Sequence, residues 1–201
     1  QKSGTSPSRI LLQEELAERW AAHAPVKLML RELADLSAPA DYRVYIAKAL
    51  RMVAKTNVQD AGPEIAQGLR ALIQSEADPA VLRARFAFNL IDIDASDETL
   101  TVIAKHLRLA AKAQEQDATL IFVGALTRST HQMAKATLWQ LAQQLMPQMD
   151  TDPRVLEAAI MPLCYEADLP LESLLQEIAS HPSSPRLRQI GLRGLQIRTQ
   201  L

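Results

Sequence analysis

"DPAVLRARFAFNLIDI", residues 78–93, and "DPRVLEAAIMPLCYEA", residues 152–167, share an Asp-Pro opening, a valine three residues after the aspartate and an apolar run of helical spacing. Such an opening is a helix start, the aspartate standing as N-cap and the proline, with no N–H to lose, in the first turn. Working outward from these copies, start points fall at Asp41, Asp78, Asp117, Asp152 and Ser184, separated by 37, 39, 35 and 32 residues. Three positions on from each stand Val44, Val81, Leu120, Val155 and Leu187, and six on stand Ala47, Ala84, Val123, Ala158 and Ile190. Second apolar-periodic stretches lie between, near 63–76, 98–113, 131–146 and 170–180. Each unit therefore reads as a helical hairpin that cannot bury its apolar face alone and must stack on its neighbours.

Composition agrees with an all-α chain. Hydrophobic residues make up 48% but aromatics 4%, with only 6 glycines, so Leu, Ala, Ile, Val and Met fill the core. Apolar residues recur at three and four almost throughout, which predicts helices near 9–23, 26–36, 41–55, 63–76, 79–93, 98–113, 118–129, 131–146, 153–166, 170–180 and 185–198. Asp78, Asp152 and Ser184 are placed as N-caps. "TLIFVGAL", residues 119–126, alone reads as a buried strand; its place in the repeat argues for helix. In the 79–93 helix, Phe86, Phe88 and Leu90 are expected to be central core.

At 201 residues the chain suits one domain, 9–201, burying roughly two-thirds to three-quarters of its unfolded surface. Residues 1–8, polar and rich in Ser, are expected to be a flexible tail, and the helix at 9–23 an N-terminal cap. The sequence has no apolar run of ~18 residues to span a bilayer. Cys164 stands alone, which favours the cytoplasm while leaving room for a periplasmic domain built without disulfides; the compartment stays open.

The repeat resembles the HEAT-repeat superfamily of armadillo-like α-solenoids, whose first helices commonly open with Asp-Pro, a valine and an alanine-rich apolar stretch, as "DPAVLRARFAF" and "DPRVLEAAIMP" do here. It covers roughly residues 39–198, about five hairpins. The basic residue that often follows the valine appears only as Arg188, and the unit at Asp117 lacks its proline. The resemblance implies a right-handed α-solenoid with an N-terminal helical cap. A tetratricopeptide array, with its strict 34-residue period, fits the spacings poorly. An irregular helical bundle stays open as the plain alternative.

Nothing in the sequence supplies enzyme chemistry. Cys164 lies at an apolar mid-helix position without a neighbouring base, and His23, His106, His131 and His181 show no metal-binding spacing. The acids of "DIDASDE", residues 92–98, lack the central glycine of a calcium loop and read as a helix start capped by Ser96. "IGLRGLQI", residues 190–197, has the form of an RNA-clamping KH loop but no flanking strands; Gly191 and Gly194 read instead as a close helix approach. No cofactor, no metal and no catalytic residue are expected.

The expectation is therefore a non-enzymatic protein–protein interaction scaffold or adaptor. Alternatives are a nucleic-acid-binding HEAT-like protein, which the net charge of −1 disfavours, and a helical regulatory domain of a larger, membrane-anchored protein. In HEAT arrays the second helix of each hairpin lines the concave face. Setting those helices in phase by the stripes Ile65/Leu69/Leu72, Leu100/Ala104/Leu107, Ala134/Leu138/Leu141 and Leu171/Leu175/Ile178 puts Arg70, Lys105, Trp139 and Gln176 on one ridge, flanked by Arg108, Lys112, Gln143 and Met146. Basic groups around an aromatic suit an acidic or amphipathic peptide. Trp139 reads equally as lateral packing between hairpins. Reversing Arg70 and Lys105 to glutamate is expected to weaken binding without unfolding. A second basic patch, Arg186, Arg188, Arg193 and Arg198, lies in an acid-free C-terminal segment and reads as a solvated cap or an acidic-partner contact.

Overall fold

The computed structural model describes residues 26–56, 61–149, 152–166 and 168–200. The expected tail at 1–8 and helix at 9–23 lie outside them. Ten α-helices and no strands are found among the described residues: α1 (Val26–Ala34), α2 (Ala40–Thr56), α3 (Gly62–Gln74), α4 (Ala80–Leu90), α5 (Asp97–Lys112), α6 (Gln116–Leu126), α7 (Gln132–Leu145), α8 (Pro153–Ile160), α9 (Glu172–Ala179) and α10 (Pro185–Arg198). None is long and apolar enough to cross a membrane. "TLIFVGAL" is helical, within α6. The chain divides into two compact units, residues 1–102 and 103–201, and the division falls inside α5.

In the first unit α2 packs against α1, α3 and α4, and α3 packs against α1 and α4. α1 and α2 thus each meet both the next helix and the one after it. The core holds Ile46, Leu50, Leu69, Phe86 and Leu90, all fully buried, while Phe88 is half-buried. A charge lies inside this apolar packing. Arg43 on α2 is 2% exposed and Asp78 5%. The guanidinium grips both carboxylate oxygens, the Nη2–Oδ2 arm at 2.7 Å, while its Nε donates to the Leu33 carbonyl at 2.7 Å. It also sits 5.5 Å over the Phe86 ring. Asp78 is consequently not the cap expected of it: Pro79 takes the N-cap position and no side chain caps α4. A long-range partner has outcompeted the local amides.

In the second unit α6 packs against α7 and α8, α8 against α7 and α10, and α9 against α10. Asp152 and Ser184 do cap, accepting from the Val155 and Leu187 amides. The helix expected over 153–166 stops at Ile160 and tightens into a 3-10 segment, Met161–Tyr165. Pro162 is the reason, since it lacks the N–H for an α-helical bond and its ring crowds the carbonyl four residues back. Pro147 does the same after α7, where a 3-10 turn covers Met146–Gln148. At the C-terminus of α5, Gln114 turns left-handed at φ 58°, and the Glu115 and Gln114 amides close back on the Ala110 and Ala111 carbonyls at 3.0 and 3.1 Å. This is a Schellman ending.

Candidate functional site

The core stripes position the surface. Ile65, Leu69, Leu100, Ala104, Leu107, Ala134, Leu138, Leu141, Leu171, Leu175 and Ile178 are all buried, and Leu72 half-buried. With Leu100, Ala104 and Leu107 turned inward, Lys105, Arg108, Leu109 and Lys112 emerge together from α5, at the i, i+3, i+4 and i+7 spacing of one helix face. All four are exposed, Leu109 to 43%. On α7, begun by the His131 ring accepting from the Met133 amide at 3.2 Å, the exposed residues are Ala136 and glutamines 132, 140, 143 and 144, and Trp139 is half-buried. Arg108 donates to the Gln140 side-chain oxygen at 2.9 Å, which joins the two helices' exposed sides. No acid occurs over 99–114 or 132–149, so these two segments contribute cations and no carboxylate of their own. Lys135 on α7 is paired with Glu166 at 2.6 Å.

The remaining ridge positions differ in kind. Met146, expected to flank the ridge, is buried at 9% in the core. Gln176 is exposed on α9. Arg70 belongs to the first unit, where its guanidinium bonds Asp94, the Thr99 hydroxyl at 3.1 Å and Glu98 at 3.4 Å. Its charge is met by two carboxylates. Burial alone would raise the Asp94 carboxyl, but hydrogen bonds from Thr99 and Ser96 and the Arg70 charge hold it below the ordinary carboxylate range. The "DIDASDE" acids Asp92, Asp94 and Glu98 are thus engaged by cations: Asp94 and Glu98 meet Arg70, and Asp92 meets Arg51 at 3.2 Å and Lys55 at 3.4 Å, while Ser96 accepts the Thr99 amide at 3.4 Å.

The C-terminal arginines are mostly committed internally. Arg186 reaches Glu157 at 3.1 Å, and Arg188 donates to the carbonyls of His181 and Pro182 at 3.0 and 3.1 Å. Arg198 bonds Glu172 at 2.6 Å and the carbonyls of Glu166 and Leu169, fixing the turn before α9. That contact lowers the Glu172 carboxyl. Only Arg193 of the four is exposed without such a bond. "IGLRGLQI" runs within α10, where a Gly191 β-carbon would strike the Ala179 nitrogen and the Leu175 carbonyl, and a Gly194 β-carbon would press on Leu175 and the Cys164 sulfur. Burial pushes the Cys164 thiol up, against the pull of Arg198.

Sequence reasoning missed one feature. A groove of about 490 Å³ runs between α6 and α8, with Leu120, Val123, Gly124 and Thr127 on one side and Met161, Pro162 and Tyr165 on the other. Arg193 reaches it from α10. Its trace in the sequence is "TLIFVGAL", which holds more apolar residues than one buried helix face needs, and the helix-breaking Pro162. Set against family models, curated proteins and solved structures, the chain matches none.

Proposed function

We propose that the hairpins continue one another as a right-handed HEAT-like α-solenoid and that the chain is a non-enzymatic protein-interaction scaffold. It holds an acidic, amphipathic partner segment on the α5/α7 face. The observation that carries this reading is the exposed face of α5: three exposed cations, Lys105, Arg108 and Lys112, share it with the exposed Leu109, and Arg108 ties it to Gln140 of α7, the residue after the half-buried Trp139. Apolar anchors ringed by cations fit the apolar stripe and acidic flanks of such a helix. Complementary charge steers its approach. Arg70, neutralised in its own ion pairs, is left out of this surface. The i to i+2 packing within each unit supports the repeat architecture.

The test is affinity capture from the native source with the wild-type chain and with Lys105→Glu/Arg108→Glu. The expected result is a protein partner retained by the first and lost by the second, at equal helical circular dichroism and in a salt-sensitive manner. Capture that survives the double reversal refutes the surface. A duplex oligonucleotide shifted by the wild-type chain at physiological salt would replace the protein partner with nucleic acid. Small-angle scattering tests the solenoid: an elongated, gently curved particle is expected, and a compact one contradicts it.

A further inference from the structure

We infer that the groove between α6 and α8 is a second docking site, for a partner segment carrying a large apolar side chain close to a carboxylate. It is independent of the α5/α7 face and is built from other residues.

Leu120, Val123, Gly124 and Thr127 stand at i, i+3, i+4 and i+7, so the α6 wall is one continuous helix face about 10 Å long. Opposite, Pro162 ends α8 and the 3-10 segment that follows carries Tyr165 outward, 63% exposed. A large aromatic left that open beside an apolar floor has the composition of an interaction anchor rather than of core. The floor is apolar, Val123 and Met161 being 1% exposed and half-buried respectively. An aliphatic or aromatic side chain entering it would bury apolar surface against Leu120, Met161 and Pro162, while Thr127, Glu157 and Arg193 keep the rim polar.

Charge decides what accompanies that side chain. The groove holds one acid and one base, Glu157 and Arg193. Glu157 is already paired with Arg186 at 3.1 Å. Arg193 is exposed and makes neither the carboxylate pairs that hold Arg186 and Arg198 nor the carbonyl bonds that hold Arg188. The groove is therefore positive at one point. A guanidinium's planar donors suit a carboxylate held in the same orientation, which makes Asp or Glu near the apolar anchor the complementary feature.

A random dodecapeptide display library panned in parallel on three full-length chains tests this: wild type, Arg193→Glu and Lys105→Glu/Arg108→Glu. Peptides with Leu, Phe, Trp or Met within four residues of Asp or Glu should be enriched on the wild type and the α5/α7 double variant but not on Arg193→Glu. A fluorescein-labelled member of that set should bind with a dissociation constant raised roughly tenfold by Arg193→Glu and by Tyr165→Ala, both at unchanged melting temperature. The inference is overturned if nothing is enriched, if enrichment carries no acid, or if only the α5/α7 double variant loses it. Concentration-dependent self-association that Arg193→Glu removes would give the groove to a second copy of the chain and overturn it equally.

Discussion

The backbone of Ala179 stands where a β-carbon on Gly191 would have to be, with the Leu175 carbonyl oxygen 2.6 Å from the same point. α9 and α10 therefore touch backbone to backbone, and there is no flexible side-chain end to move aside.

Gly191→Ala should push the two helices apart and cost about 3 kcal/mol or more, at the upper end of overpacking effects. Gly194→Ala meets the flexible end of Leu175 and should cost less. Gly62→Ala, whose β-carbon meets nothing within 4 Å, should be neutral or stabilise by about 0.5 kcal/mol. Urea unfolding of the three variants orders them; equal effects at Gly191 and Gly62 would refute the close approach.

Asp78→Ala leaves the Arg43 guanidinium buried and unpaired, and should destabilise by about 3–5 kcal/mol. The double variant Arg43→Met/Asp78→Leu should recover most of that loss, because a buried ion pair exceeds an apolar pair of like volume by little. A double-mutant cycle measures the difference. Additive losses would mean that the pair contributes no coupling.

The lowered Asp94 carboxyl makes stability depend on acid. Its folded pKa lies below the unfolded value of about 3.9, so its contribution is complete above that pH and lost as pH falls through the folded value. The gap in urea midpoint between wild type and Asp94→Asn should be constant from about pH 7 to 5 and begin to narrow below about pH 4. A gap that does not narrow at all as pH falls below about 4 would assign the loss to packing instead. The same geometry revises the reversal of Arg70: Arg70→Glu sets a carboxylate against Asp94 and Glu98 and should lower stability itself.

Gln114 holds a left-handed conformation that β-carbon-bearing residues adopt at a cost. Gln114→Gly should raise stability by about 0.5–1 kcal/mol, the strain relieved exceeding the added freedom of the unfolded chain. A lower melting temperature would contradict this.

Helix positions were legible because their signals are local. Caps and prolines at Asp152, Ser184 and Pro185 act within one turn, and the 3.6-residue stripe that orients each helix repeats along it. What escaped was long-range. Asp78 has the same local signature as Asp152, yet its carboxylate goes to a guanidinium 35 residues away, which no spacing rule announces. The C-terminal arginines read as a patch because sequence counts charges, while space pairs them: Glu157 and Glu172 lie 29 and 26 residues upstream of their partners. Pro162 could have been read, since a proline inside a periodic run breaks the α-helical bond pattern wherever it occurs.

Stacked hairpins ordinarily fray one at a time, each neighbour adding or losing its own interface. Arg43 removes that freedom from the start of the described chain. The helix that carries it cannot shut it away from water until the turn bearing Asp78 arrives, because a buried guanidinium without its counter-charge costs several kcal/mol. The same side chain holds the Leu33 carbonyl at the end of α1. α1, α2 and α4 should therefore open in one cooperative transition, with amide exchange within them set by a single opening event rather than by unravelling inward from the end.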